Sequence, residues 1–251
     1  MSGHSKWATT KHQKAAKDKT RGKLFAKLIR QIEVAAREGG GDTSANATLR
    51  AMVDKARDAS VPLDTIERAI KRGTGELEGV HYEPVTYEGY APNGVAVIAE
   101  CLTDNRNRTT SEVKNIFTRN GGSLAEPGAV AWQFQRKGVV IVDKTSGVDE
   151  DDLMMAALEA GAEDVADQGD TWQVTSGPSD LAAVKGALEA AGVAMATADL
   201  TMLPTTSIPL GNENDARKVL RVVDTLEEHD DVQNVYANFD IPDDIIAAVT
   251  S

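Results

Sequence analysis

The chain has 251 residues, 41% of them hydrophobic, a formal net charge of −12 and one cysteine. That length can bury a sizeable core in one large domain or two to three small ones, while Cys101 alone excludes an internal disulfide and fits a reducing compartment. No apolar run approaches the ~20 residues needed to span a bilayer, so no transmembrane helix is expected.

The charge is partitioned. Residues 1–37 hold ten Lys/Arg against Asp18 and Glu33, a net +8 that leaves −20 for residues 38–251. A polyanion could therefore bind only one end favourably. No apolar block follows the N-terminal charges, so a secretory signal is not expected and the cytoplasm is the expected compartment.

In chain order, Leu24, Phe25, Leu28, Ile29, Ile32, Ala35 and Ala36 recur at helical spacing and predict an amphipathic helix over 23–36, with Lys27 and Arg30 near its polar side, ended by Gly39 to Gly41. A second helix is expected over 45–59. A third follows Pro62, with Asp64 as its cap, Glu67 at the capping-box position and Gly73 as the C-cap. Beyond Gly75 the period changes. Strands over 85–90 and 95–103 flank the hairpin connection Ala91-Pro92-Asn93-Gly94. The loop Asp104 to Arg108 leads into a helix over 110–119, and a third strand is expected over 130–134.

The next stretch predicts strand 139–142, helix 150–159, strands 164–166 and 171–175, helix 178–190 and strand 194–202, which is the ferredoxin-like order. A helix over 214–228 and a strand over 234–239 then supply what the unit before it lacked. The pattern predicts an α+β protein of three domains. These are a basic tail with a helical domain over 1–79, a discontinuous α/β domain of 80–135 plus 205–251, and an inserted ferredoxin-like α/β domain over 136–204.

Little points to catalysis. Cys101 lies in an apolar strand run and reads as a small buried hydrophobe. His81 and His229 are isolated and make no zinc spacing. The acids Asp149 to Asp152 sit where a helix N-terminus favours them, and no phosphate loop is present. No enzyme activity, cofactor, metal or small-molecule substrate is expected, and a monomer is favoured.

Nucleic-acid binding has more support. Cations every two to four residues from Lys11 to Lys27 could meet successive phosphates, with Trp7 and His4 able to stack or reach a backbone oxygen. The alternative is a solvated tail with no specific ligand. Asp104 to Thr110 offers two Arg and two Asn for phosphates or base edges. Equally, Asp and Asn build turns, and Thr109 or Thr110 can cap the next helix.

The stretches Gly3-His4-Ser5-Lys6-Trp7-Ala8, Lys11 to Ala16, Arg21 to Phe25, Ile66 to Gly73, Tyr87 to Ile98 and Thr103 to Thr109 together resemble the YebC/PmpR family, essentially end to end. Thr9-Thr10 and Gln13 depart from the family pattern. The resemblance implies a three-domain, non-enzymatic, cytoplasmic bacterial protein. Family members are described as DNA-binding transcriptional regulators, while similar proteins, including the mitochondrial activator of cytochrome oxidase translation, are associated with the ribosome. The expected nucleic-acid contacts are His4, Ser5, Lys6, Trp7, Lys11, His12, Lys14, Lys17, Lys19, Arg21, Lys23, Asn105, Arg106, Asn107 and Arg108. DNA is the first expected ligand and ribosomal RNA the alternative.

Overall fold

A computed structural model describes residues 18–250. They form an α+β protein with two compact units, one of residues 18–131, 210–237 and 241–250 and one of residues 132–209 and 238–240.

The larger unit opens with three helices, α1 (Asp18–Gly39), α2 (Ala47–Asp58) and α3 (Leu63–Thr74). Their apolar stripes meet in a core of Leu28, Ile32, Ala35, Leu49, Val53, Ile66 and Ala69, each large side chain contributing ~1.5–3 kcal/mol by leaving water. Asn46 joins two helix ends. Its side-chain oxygen accepts from Leu49 N at 3.0 Å, while Nδ2 donates to Ala35 O at 2.8 Å and Gly40 O at 2.9 Å, so one buried amide caps α2 and ties it to the end of α1.

Two expected end signals of α3 are corrected. Pro62, not Asp64, is the N-cap, because its fixed φ leads directly into the helix and leaves Asp64 in the first turn, where the dipole favours an acid. Gly73 is interior. A Cβ there would lie 2.5 Å from Glu33 O, so the residue permits close packing of α3 on α1, and Gly75, at φ 83°, is the C-cap. Buried Glu33 meets Arg72 at 2.6 Å across the same crossing.

Strand β1 (Glu83–Tyr90) pairs antiparallel with β2 (Ala96–Thr103) along its whole length. The expected turn forms between them, with Asn93 at φ 64° and Gly94 at φ 77°. Helix α4 (Arg106–Arg119) follows, then β3 (Ser123–Ala125) on the outer edge of β1. The expected strand over 130–134 is absent. Glu88, buried in β1, accepts from the backbone N–H groups of Gly128, Val130 and Ala131 at 2.7, 2.7 and 2.8 Å, which removes those donors from any ladder. Burial raises the Glu88 pKa, but these three bonds outweigh it and hold the carboxyl below its ordinary range. Helix α7 (Glu213–Glu228) and strand β9 (Val232–Ala237) complete the unit, with β9 on the free edge of β2, giving the order β3-β1-β2-β9. The terminal helix α8 (Asp243–Thr250) belongs to the same unit.

In the smaller unit, β4 (Phe134–Asp143), β5 (Ala162–Asp167), β6 (Thr171–Ser176) and β7 (Met195–Pro204) form an antiparallel sheet in the order β5-β6-β4-β7. Helices α5 (Glu150–Glu159) and α6 (Leu181–Ala190) bury Leu153, Ala157, Val184 and Leu188 against Val140, Val142, Trp172 and Val174. Strand β4 begins before the expected Val139 because β7 pairs with it from Phe134 onward. A short parallel pair joins β8 (Ile208–Pro209) to β10 (Phe239–Asp240). The Asp149 side chain caps α5 by accepting from Asp151 N at 2.9 Å, the role expected of that acidic cluster.

Candidate nucleic-acid interface

Of the expected arm contacts, His4, Ser5, Lys6, Trp7, Lys11, His12, Lys14 and Lys17 lie outside the described residues, and Lys19 and Arg21 fall in the first turn of α1. Lys23 and the next cations along α1 turn toward the end of α7. Lys23 Nζ donates to Glu228 O and Lys27 Nζ to Glu227 O, both at 2.8 Å, and Arg30 Nη1 donates to Asp230 O at 2.6 Å. Spacings of four and three put these three residues on one helix face. Helix α7 ends at Glu228, so Glu227 O and Glu228 O are orphan groups at the negative end of its dipole, while Asp230 O lies in the turn that follows. Burial lowers the pKa of Lys27, with Glu227 opposing the shift. Lys23 thus has a docking role within the fold that its place in a basic run did not reveal.

The second expected cluster is helical from Arg106 onward rather than a loop reaching Thr110. Asn105 is its N-cap, accepting from Arg108 N at 3.1 Å, in place of the capping expected of Thr109 or Thr110. Thr109 is instead buried, with its hydroxyl 2.7 Å from Thr103 Oγ1, and Thr110 Oγ1 lies 2.8 Å from Tyr87 Oη. Arg106 and Asn107 are exposed. Arg108 Nη2 bonds to Asp104 Oδ1 at 2.8 Å and Asp231 Oδ2 at 2.7 Å.

Asp231 joins these two regions. Its side chain, 4% exposed, accepts from Arg30 Nη1 at 3.0 Å on Oδ1 and, on Oδ2, from Arg108 Nη2 and Thr109 Oγ1, both at 2.7 Å. Burial alone would raise the carboxyl pKa, but hydrogen bonds from Arg108 and Thr109 and the charges of Arg108 and Arg30 hold it below its ordinary value. Arg30 also stacks on Tyr82, 5.1 Å from the ring centroid. The root of the basic arm and the start of α4 therefore converge on the turn between α7 and β9.

Glu112, His229 and Asp231 offer three ligand atoms within 4.8 Å of one another, but the group is internally satisfied. Asp231 N donates to His229 Nδ1 at 3.1 Å, so the neutral ring carries its proton on Nε2, which lies 2.8 Å from Glu112 Oε2. With two guanidiniums already on Asp231, the cluster is a hydrogen-bond chain rather than a cation site.

A family model described as the TACO1/YebC protein N-terminal domain matches residues 5–76, and one described as the TACO1/YebC second and third domain matches residues 82–239. The chain belongs to the TACO1/YebC family. Relatives include a probable transcriptional regulatory protein of Parafrankia sp. (strain EAN1pec), 58% identical over 252 residues and covering all of both chains. Another from Thermobifida fusca is 58% identical over 251 residues, again covering 100% of each. A crystal structure of a conserved hypothetical protein from Aquifex aeolicus superposes with a TM-score of 0.81 at 47% identity, covering 90% of this chain and 93% of that one.

Within this TACO1/YebC chain, sequence reasoning missed Asp231 and Glu88. Glu88 had a usable signal, as the one charged residue of the strand expected over 85–90. Asp231 had none, since it lies in an acidic turn of ordinary composition and its partners are 122 or more residues away. No described helix is long and apolar enough to cross a membrane.

Proposed function

We propose that this protein is a cytoplasmic nucleic-acid-binding regulator, in the first instance a DNA-binding transcriptional regulator, that acts by binding and not by catalysis. The observation that carries the reading is the convergence of Arg30 and Arg108 on Asp231, which brings the C-terminal part of the +8 segment and the start of α4 to one turn and makes a two-part contact surface geometrically reasonable. The relatives named probable transcriptional regulatory proteins support the same reading. The finer domain reading goes with it: a helical domain, a discontinuous α/β domain and an inserted ferredoxin-like domain over 136–204.

The test is the salt dependence of binding to a DNA duplex. If the arm neutralises about six phosphates, affinity falls by ~10³ between roughly 50 and 200 mM salt. Replacing Lys11, Lys14 and Lys17 by Ala weakens binding uniformly across sequences; unchanged affinity sinks the role of the arm. Co-sedimentation with ribosomes at physiological salt, without enrichment of promoter DNA in cells, transfers the function to ribosomal RNA.

A further inference from the structure

Helix α4 buries Thr109, Val113 and Phe117 and turns its opposite side to solvent. On that side Asn107, Ser111, Lys114, Asn115 and Thr118 are all exposed, and their spacing of four, three, one and three makes a single stripe. The stripe contains neither a carboxylate nor an apolar side chain. The whole helix carries Arg106, Arg108, Lys114 and Arg119 against Glu112 alone, +3 within a region, residues 38–251, that totals −20. Glu112 lies off the stripe beside His229.

Two local rules are broken here. Asn, Ser and Thr are weak helix formers, and an exposed position that needs only water is better served by Ala, Glu or Lys. Ser111 Oγ and Thr118 Oγ1 bond back to Asn107 O and Lys114 O at 2.9 Å each, which favours the helix no further. The first turn also lacks the acid that the helix dipole favours and holds Arg106 and Arg108 instead. Departures from local consistency concentrate at functional surfaces. The Asn107 and Asn115 amides and the Lys114 ammonium can donate to phosphodiester oxygens as they stand, and Ser111 and Thr118 do so by rotating their hydroxyls away from Asn107 O and Lys114 O; the shortness of the polar side chains lets a backbone approach the helix closely.

We infer that the solvent face of α4 is a docking surface for the phosphodiester backbone of a nucleic acid, extending the contact surface beyond Arg106 and Arg108 to Ser111, Lys114, Asn115 and Thr118. This rests on the nucleic-acid reading above and adds a second, rigid half to the arm. The occupant follows from charge: in a chain this acidic, an acid-free stripe on a +3 helix suits a polyanion and repels little of it.

The experiment measures binding of the full chain to a mixed-sequence DNA duplex of about 30 base pairs, and to the RNA duplex of the same sequence, at ~100 mM salt. Ser111→Glu with Asn115→Glu places two good helix formers on the stripe, with folding checked by circular dichroism. Affinity falls at least ~10-fold, and Lys114→Ala reduces the salt slope by about one. Ala183→Glu with Gly186→Glu adds the same charge to the exposed side of α6, where a Cβ at Gly186 meets nothing within 4 Å; affinity changes less than ~2-fold. An equal loss in this control overturns the inference. Unchanged binding by the α4 variant, with binding abolished by the Lys11, Lys14 and Lys17 substitutions, overturns it and leaves the proposed function standing. Failure of the unaltered chain to bind either duplex overturns both. The duplex on which the α4 variant loses more is the one this face meets.

Discussion

Arg108 Nη2 lies 2.7 Å from Asp231 Oδ2, across 123 residues of sequence. The carboxylate is nearly inaccessible whereas Arg108 is 43% exposed, so the pair is buried at one end and wet at the other. Asp231→Asn keeps the shape but removes the countercharge of Arg30 and the buried one of the carboxylates that Arg108 bonds, leaving it Asp104. The expected loss is ~2–4 kcal/mol, toward the lower end because Arg108 reaches water. Urea unfolding of D231N, R108A and the double variant should give a coupling of about 1 kcal/mol or more; additive effects would mean that the contact is incidental.

Glu88→Gln tests the carboxylate that organises residues 128–131. The amide keeps one acceptor oxygen for three backbone donors, so a loss of ~1–3 kcal/mol is expected at neutral pH. In the folded protein the Glu88 carboxyl titrates below the ordinary 4.5, so its stabilisation is complete above that value and is lost as pH falls from there through the folded value. E88Q should therefore show a shallower loss of stability below about pH 4.5 than the unaltered chain. Parallel acid unfolding curves would contradict this.

Asn46→Ala removes a cap from α2 and the donor to Ala35 O and Gly40 O at the end of α1. Caps of this type contribute ~0.5–2 kcal/mol, and the double duty places this one at the upper end. Thermal unfolding of N46A measures it; Asn46→Asp, which keeps the acceptor but not the donor, should fall between the two.

Cys101 is 2% exposed, and burial, with Asp231 nearby, pushes its thiol up to about 12. At pH ~8 almost none of it is thiolate, so a disulfide reagent should leave the native protein unmodified and titrate one thiol in urea. Rapid modification of the folded chain would show that β2 opens locally.

Where side chains repeat with a clear period, the elements were legible. Helix α7 buries Ala216, Val219, Leu220, Val223 and Leu226 as its spacing predicts, and the Asn93-Gly94 turn forms where two left-handed residues were available. Errors arose where a distant group decides the outcome. The strand expected over 130–134 fails because Glu88, some 40 residues earlier, takes its backbone donors. Gly73 resembles a C-cap until α1 is packed against it. For the site, sequence marked Lys23 and Arg108 as cations but could not assign their partners, because Glu228 O and Asp231 become neighbours only when β9 joins β2.

That late neighbour sets an order of events during synthesis. Arg30 and Asp231 are 201 residues apart, and at about 5–20 residues per second the carboxylate is made roughly 10–40 s after the guanidinium it will hold. Through that interval the three N-terminal helices can pack on their own core, but the polar face of α1 has no α7 end to grip and β2 keeps an unpaired edge. The face of α1 that carries Lys23, Lys27 and Arg30 thus leaves the ribosome long before the turn that grips it, and the same turn that orients α1 also closes the fold.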